Sequence, residues 1–162
     1  MKNLLLMFAL LFGADSTTNH TKEETKQQYL ASESVHASFS KAELRVRKAA
    51  VKVITGGGHG SGSYLVHKGF HFILTAQHVT NGPLGKHYMI SKDEEIRMAT
   101  LVYSSPADDI AVLFLEDPFK LIEPMKYKPT KEISKISTDI TYSGFPSSHK
   151  LMTIRGRVAG YA

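Results

Sequence analysis

The stretch Phe72-Ile73-Leu74-Thr75-Ala76-Gln77-His78-Val79 decides how the rest of the chain is read. An apolar run gives way at Thr75-Ala76, and a histidine follows at once. The segment from Ala76 to Thr80 is too short for a stable free helix, so a single helical turn is expected. A histidine at such a strand-to-turn junction can be held rigidly and still face a cleft. A general base needs both, because it must meet its proton at hydrogen-bond distance. A histidine taken alone is more often a surface or satisfied core residue, so its meaning rests on what surrounds it.

Working outward, Ala49-Ala50-Val51-Lys52-Val53-Ile54 reads as a first strand, and Gly56 to Gly62 as a flexible turn. Ser63-Tyr64-Leu65-Val66-His67 and Phe70 to Thr75 read as a hairpin turned by Lys68-Gly69. A second hairpin pairs His87-Tyr88-Met89-Ile90 with Ile96 to Tyr103 across Lys92-Asp93-Glu94-Glu95. Ile110 to Leu115 is a continuous apolar strand. Asp117 to Ser137, rich in Pro and Lys, reads as a connection. Asp139 to Phe145 and Leu151 to Val158 are two further strands without partners among the earlier ones. Short strands at close spacing argue for an all-β barrel or sandwich. No repeat of fixed period is present.

Asp109 stands immediately before the apolar run Ile110 to Leu115. A carboxylate at the mouth of such a strand is expected to be partly buried, and burial without a partner is costly. A histidine N–H is a suitable partner. Asp108 competes for the role. Neighbours in a strand point to opposite faces, so only one of the two can face His78. Taken alone, a pair of aspartates here is more often a turn or strand-end feature.

Together, Gly60-Ser61-Gly62-Ser63-Tyr64-Leu65-Val66, Phe72 to Val79 and Asp109-Ile110-Ala111-Val112-Leu113 resemble the trypsin-like, chymotrypsin-fold serine peptidases. The nearest look is to the bacterial Deg-type and related non-zymogen groups. Ile140-Thr141-Tyr142-Ser143-Gly144-Phe145-Pro146 resembles the opening strand of that family's second barrel, and Thr153-Ile154-Arg155-Gly156-Arg157-Val158 the strand after it. The resemblance spans roughly Ala49 to Tyr161, with its four motifs in order. It implies two β-barrels with a catalytic site between them, the first barrel nearly complete here and the second only begun. It also implies His78 as general base and Asp109 as its orienting carboxylate, with protein or peptide as substrate.

Two departures qualify this expectation. The Ile-Val-Gly-Gly activation sequence of digestive proteases is absent. So is the Gly-x-Ser-Gly-Gly segment that supplies the family's nucleophile and oxyanion hole. Ser61 and Ser63 precede His78, where nothing in the family places a nucleophile, and no Gly-x-Ser-x-Gly elbow exists. The reading is therefore a serine endopeptidase represented by an N-terminal portion that lacks its nucleophile. The alternative is a non-catalytic, protease-like module that binds protein or peptide.

Other chemistries find little support. The glycine cluster lacks the endings of phosphate-binding and dinucleotide-binding loops. His59, His67, His71, His78 and His87 form no His-Glu-x-x-His helix, so neither metal nor cofactor is expected. No cysteine is present, which removes disulfides and thiolate chemistry. The net charge of +5 comes from scattered cations without interleaved aromatics, so nucleic acid is not expected as a partner.

At the N-terminus, Lys2, the apolar run Leu4 to Phe12 and the small residues Gly13, Ala14 and Ser16 describe a signal peptide. The run is short for a membrane span; a buried helix or an uncleaved anchor is the other reading. The expected layout is a signal peptide over residues 1–16 and a polar linker or loose helix over 17–44, a helix being plausible over Glu23 to Ala31. The first barrel follows over 45–125, then the interbarrel connection and opening strands of the second over 126–162. Export to the periplasm or the exterior follows from that layout.

Overall fold

The computed structural model describes residues 38–147 and 149–161. Backbone packing divides the chain into Met1–Phe39 and Ser40–Ala162, and the fold described is that of the second unit. The expected signal peptide and the helix over Glu23 to Ala31 lie outside the described residues.

The second unit opens with a helix, α1 (Lys41–Ala49), that spans position 45, where the barrel was expected to begin. Ser40 is its N-cap. The Ser40 hydroxyl accepts the Glu43 backbone N–H at 3.2 Å, and the Glu43 carboxylate accepts the Ser40 N–H at 2.7 Å. This reciprocal capping box satisfies two donors that a helix start otherwise leaves bare. Arg47 and Lys48 occupy the last turn, where the helix dipole favours cations. The signal Ser40-x-x-Glu43 was readable in the sequence, but the polar stretch before it hid the change of period.

The strands follow as β1 (Ala50–Thr55), β2 (Gly58–His67), β3 (Phe70–Thr75), β4 (His87–Lys92), β5 (Glu95–Ser105) and β6 (Ile110–Leu115). They pair in the order β1-β4-β5-β6-β3-β2, and antiparallel pairing of β1 with β2 closes the ring. The expected all-β architecture therefore holds, and the first barrel is fully closed. A short strand, β7 (Met125–Lys126), adds parallel to β2 within the segment read as a connection. The final strands, β8 (Asp139–Gly144) and β9 (Met152–Arg157), form their own two-stranded antiparallel sheet. The turns obey local chemistry: Lys68 and Gly69 both take positive φ in the β2–β3 hairpin, and Asp93 does so between β4 and β5.

Alternate residues of the strands fill the barrel. Val51 and Val53 of β1, Tyr64 of β2, Ile73 of β3, Ile90 of β4, Leu101 of β5 and Leu113 of β6 are fully buried in one cluster. β6, uniformly apolar in sequence, still alternates between its core face and its outer face.

Gly60 and Gly62 correct the expected turn over Gly56 to Gly62. Only Gly56 and Gly57 turn the chain, and the later glycines lie inside β2. The reason is close approach. A Cβ on Gly60 would sit 2.4 Å from Val79 Cγ1, and one on Gly62 would sit 2.6 Å from Ile73 Cγ2. The glycines thus let the His78-bearing turn and β3 pack directly against β2.

The second sheet is tied to α1. Glu43 exposes 2% of its surface and forms an ion pair with Arg155 of β9, whose second guanidinium nitrogen donates at 2.9 Å. Arg47 donates to Thr153 at 2.8 Å, and Thr153 shares a hydrogen bond with Ser143 of β8, also at 2.8 Å. The Arg155 side chain and the Ser40 backbone N–H hold the Glu43 carboxyl down at about 2.

Gly62→Ala is expected to cost about 1–3 kcal/mol by overpacking against Ile73 and Val53. Gly57→Ala, with open space at its Cβ, should stay within about 0.5 kcal/mol. Urea unfolding midpoints at constant m check both. The lowered Glu43 value carries a pH signature. Its stabilisation is present above the ordinary carboxylate range and is lost as pH falls from about 4.5 toward about 2. Glu43→Gln should flatten that part of a thermal-midpoint profile against pH.

Candidate active site

The site follows from strand register. β3 and β6 are antiparallel neighbours with Thr75 opposite Ala111. The end of β3 therefore meets the start of β6 at one end of the barrel. Beyond Thr75, Ala76 is extended and Gln77–Thr80 form a single 3-10 turn, as the short segment predicts. The Val79 N–H donates to Ala76 O at 3.1 Å. The Thr80 hydroxyl closes the turn on Gln77 O at 3.2 Å, and the Thr75 hydroxyl donates to Ser61 O at 2.7 Å. The turn is thus pinned to its own strand and to β2.

Asp109 comes from the other side. It is the last turn residue before β6 and adopts φ +51°, a left-handed conformation that aspartate tolerates better than most residues. The strand begins at Ile110, so the carboxylate is aimed by the turn rather than by strand alternation. Its Oδ2 lies 2.8 Å from His78 Nδ1, and its Oδ1 lies 3.0 Å from the same nitrogen and accepts the His78 backbone N–H at 3.0 Å. Two donors of one residue thereby fix one carboxylate. The backbone N–H of His78 first, then its ring N–H, holds the Asp109 carboxyl below the ordinary carboxylate value.

Asp108 is separately employed. It accepts the Ser105 hydroxyl at 2.7 Å, and its own N–H returns to that oxygen at 3.4 Å. Of the two aspartates, the fold brings Asp109 to His78. Partial burial of Asp109 was expected, and its side chain is 51% exposed.

With Nδ1 given to Asp109, His78 Nε2 makes no hydrogen bond with any described residue. His78 lines a cleft of about 790 Å³ shared with the start of β2 and with Phe145 and Pro146 after β8. Ser61 is held at the edge of this cleft, where its Oγ accepts the Phe145 N–H at 2.8 Å. Gly144 makes that approach feasible, because a Cβ there would sit 2.7 Å from Ser61 Oγ. His59 Nε2 lies 3.2 Å from Phe145 O, so both backbone groups of Phe145 are held by β2. Lys52 Nζ sits 5.1 Å from the centre of the Phe145 ring. This clasp between β2 and the second sheet was not anticipated. The Gly60-Ser61-Gly62 and Gly144-Phe145-Pro146 strings were both noted, but their pairing is long-range and has no sequence signature.

The other histidines disperse. His67 contacts Tyr127 O, His71 contacts the Tyr64 hydroxyl, and His87 contacts the Thr100 hydroxyl. No group of three or more metal-ligating residues occurs among the described residues.

A closed β-barrel that carries a histidine–aspartate pair at its mouth, followed by the opening of a second sheet, is the architecture of chymotrypsin-like peptidases. The family described as the trypsin-like peptidase domain matches residues 60–162. The chain belongs to that family. No curated protein matches it. Among solved structures, Rv3671c from M. tuberculosis H37Rv, determined as a serine-to-alanine mutant in an inactive form, is similar at 19% identity and a TM-score of 0.55. That alignment covers 72% of this chain and 53% of Rv3671c. A serine protease of human pathogenic astrovirus is similar at 20% identity and a TM-score of 0.52, covering 71% of this chain and 64% of the viral one. The chain thus spans between half and two thirds of these structures. At such identities the likeness speaks to fold.

Asp109→Asn is expected to invert the His78 tautomer. The single amide oxygen would keep the backbone N–H of His78, and the amide NH₂ would then face Nδ1 and favour a proton on Nε2. Imidazole ¹⁵N shifts should place the unprotonated nitrogen at Nε2 in the native chain and at Nδ1 in the variant. Asp108→Asn should leave the pattern unchanged.

Proposed function

We propose that this chain is the N-terminal portion of a serine endopeptidase that hydrolyses peptide bonds by acyl transfer. His78 is the general base and Asp109 its orienting carboxylate. The observation that carries this reading is the Asp109–His78 Nδ1 contact at 2.8 Å, with Nε2 left for a proton from a nucleophile. The carboxylate fixes the tautomer, so the basic lone pair sits on Nε2. It also stabilises the imidazolium that forms when that lone pair takes a proton.

The nucleophile is assigned to a Gly-x-Ser-Gly-Gly segment that the present sequence does not contain. One feature favours a serine delivered from outside this sequence. The two-stranded sheet leaves Ile140, Tyr142, Met152 and Ile154 exposed, as expected of strands that pack within a larger barrel. The substrate is assigned as a peptide lying in the cleft beside His78. Among the described residues no helix is long and apolar enough to cross a membrane. The Lys2 and Leu4 to Phe12 pattern supports export by a signal peptide.

Reading the coding frame past Ala162 tests the proposal. A Gly-x-Ser-Gly-Gly within about a hundred residues, the size of a second barrel, is the expected result. The extended protein should then cleave peptides and label with a serine-directed fluorophosphonate, and His78→Ala should lower kcat by about 10⁴-fold or more. The 162-residue chain should not label. A stop codon directly after Ala162 would instead favour a non-catalytic module that binds protein or peptide.

A further inference from the structure

A second groove, of about 600 Å³, lies between α1 and the β7 region. It borders a different part of β2 from the one that serves His78. The cleft uses His59 to Ser61 at the start of β2, whereas β7 pairs with Leu65 and Val66. Some five residues of strand separate them, or ~17 Å at the usual rise.

Two pairs of cations line this groove. Arg45 and Lys48 are three apart on α1, and Lys126 ends β7 with Lys128 two residues beyond it. The helical spacing places Arg45 and Lys48 on one face of α1. All four are exposed. None forms an ion pair among the described residues, whereas Arg97, Arg155 and Arg157 each pair with a carboxylate. Glu123 is the single acidic residue in the lining, so four cations face one carboxylate. Val46, Pro124 and Met125 form a half-buried apolar floor between them. β7 ends the sheet, bonded to β2 on one side with no strand on the other among the described residues. Charges gathered in a concave, partly apolar surface focus their field more than the same charges spread over a convex one.

We infer that this groove binds an extended acidic peptide segment of a protein partner. In an extended peptide alternate side chains point opposite ways, so carboxylates can meet the cations while small apolar groups meet the floor. A membrane surface is flat and would not reach a recessed floor. Single-stranded nucleic acid wants aromatic platforms. The lining has none, and nearby Tyr127 packs edge-on against His67 and Phe72. The inference stands apart from the catalytic reading.

Fluorescence anisotropy on the full chain tests it, with a fluorescein-labelled peptide of about eight residues alternating Glu and Val. Binding is expected, and should weaken roughly tenfold as salt rises from about 50 to about 200 mM. Arg45→Glu with Lys126→Glu, and separately Lys48→Glu with Lys128→Glu, should each lower affinity about tenfold or more. The two variants guard against one of them failing to fold, which circular dichroism reveals. Lys131→Glu with Lys150→Glu makes the same charge change outside the groove and should alter affinity by less than about threefold. Equal losses in groove and control variants would overturn the site in favour of bulk charge. Binding to phosphatidylglycerol vesicles without peptide binding would overturn it in favour of a lipid surface. Retained peptide binding after His78→Ala is expected, because the groove does not use the cleft.

Discussion

The antiparallel register of β3 and β6 is the constraint on which the site depends. With Thr75 opposite Ala111, the chain leaving β3 and the chain entering β6 emerge side by side. Residues 31 positions apart in sequence then lie within hydrogen-bond reach. A slip of one residue would turn every β6 side chain over, sending Ala111, Leu113 and Leu115 outward. The buried alternation of β6 therefore protects the geometry of His78. Core packing and site geometry are one requirement here, and each side chain in the barrel wall votes for the same register.

Close approach by glycine is the second requirement. A barrel of this size has little room to carry a pinned turn across its mouth. Gly60 and Gly62 remove the Cβ atoms that would otherwise hold Val79 and Ile73 away from β2. Gly144 does the same for Ser61. The first two set the turn that bears the histidine against the barrel, and the third lets the second sheet dock on it. A side chain at any of the three would therefore shift neighbours rather than strain a backbone.

The all-β class and the hairpins were legible in the sequence because they rest on local pattern, whereas the His78–Asp109 pair was legible only through the resemblance of its motifs to a family. Apolar runs broken by Lys68-Gly69 or Asp93-Glu94 mark strands and turns wherever they occur. The choice of Asp109 over Asp108 was also legible, although its physical basis differs. Asp109 does not exploit strand alternation; a left-handed turn residue aims it, and Ser105 draws Asp108 away. What sequence did not reveal is long-range. The Phe145 clasp joins β2 to residues more than eighty positions away, and Glu43 meets Arg155 across 112. No periodicity encodes such pairings. The helix α1 is the intermediate case: its capping box is local, but a polar prelude masks it.

The two sheets are held in different ways. The first barrel closes on itself through β1 and β2 and encloses a continuous apolar cluster. The two-stranded sheet has no such core. It is fixed by polar contacts from outside: Glu43 and Arg47 of α1, and Ser61 and His59 of β2. Directional bonds set position, whereas apolar burial sets compactness. A two-stranded sheet is marginal alone, and here those bonds orient it against the cleft that contains His78. The histidine and aspartate consequently owe their geometry to the barrel, and the far wall of the cleft owes its geometry to the helix and the clasp.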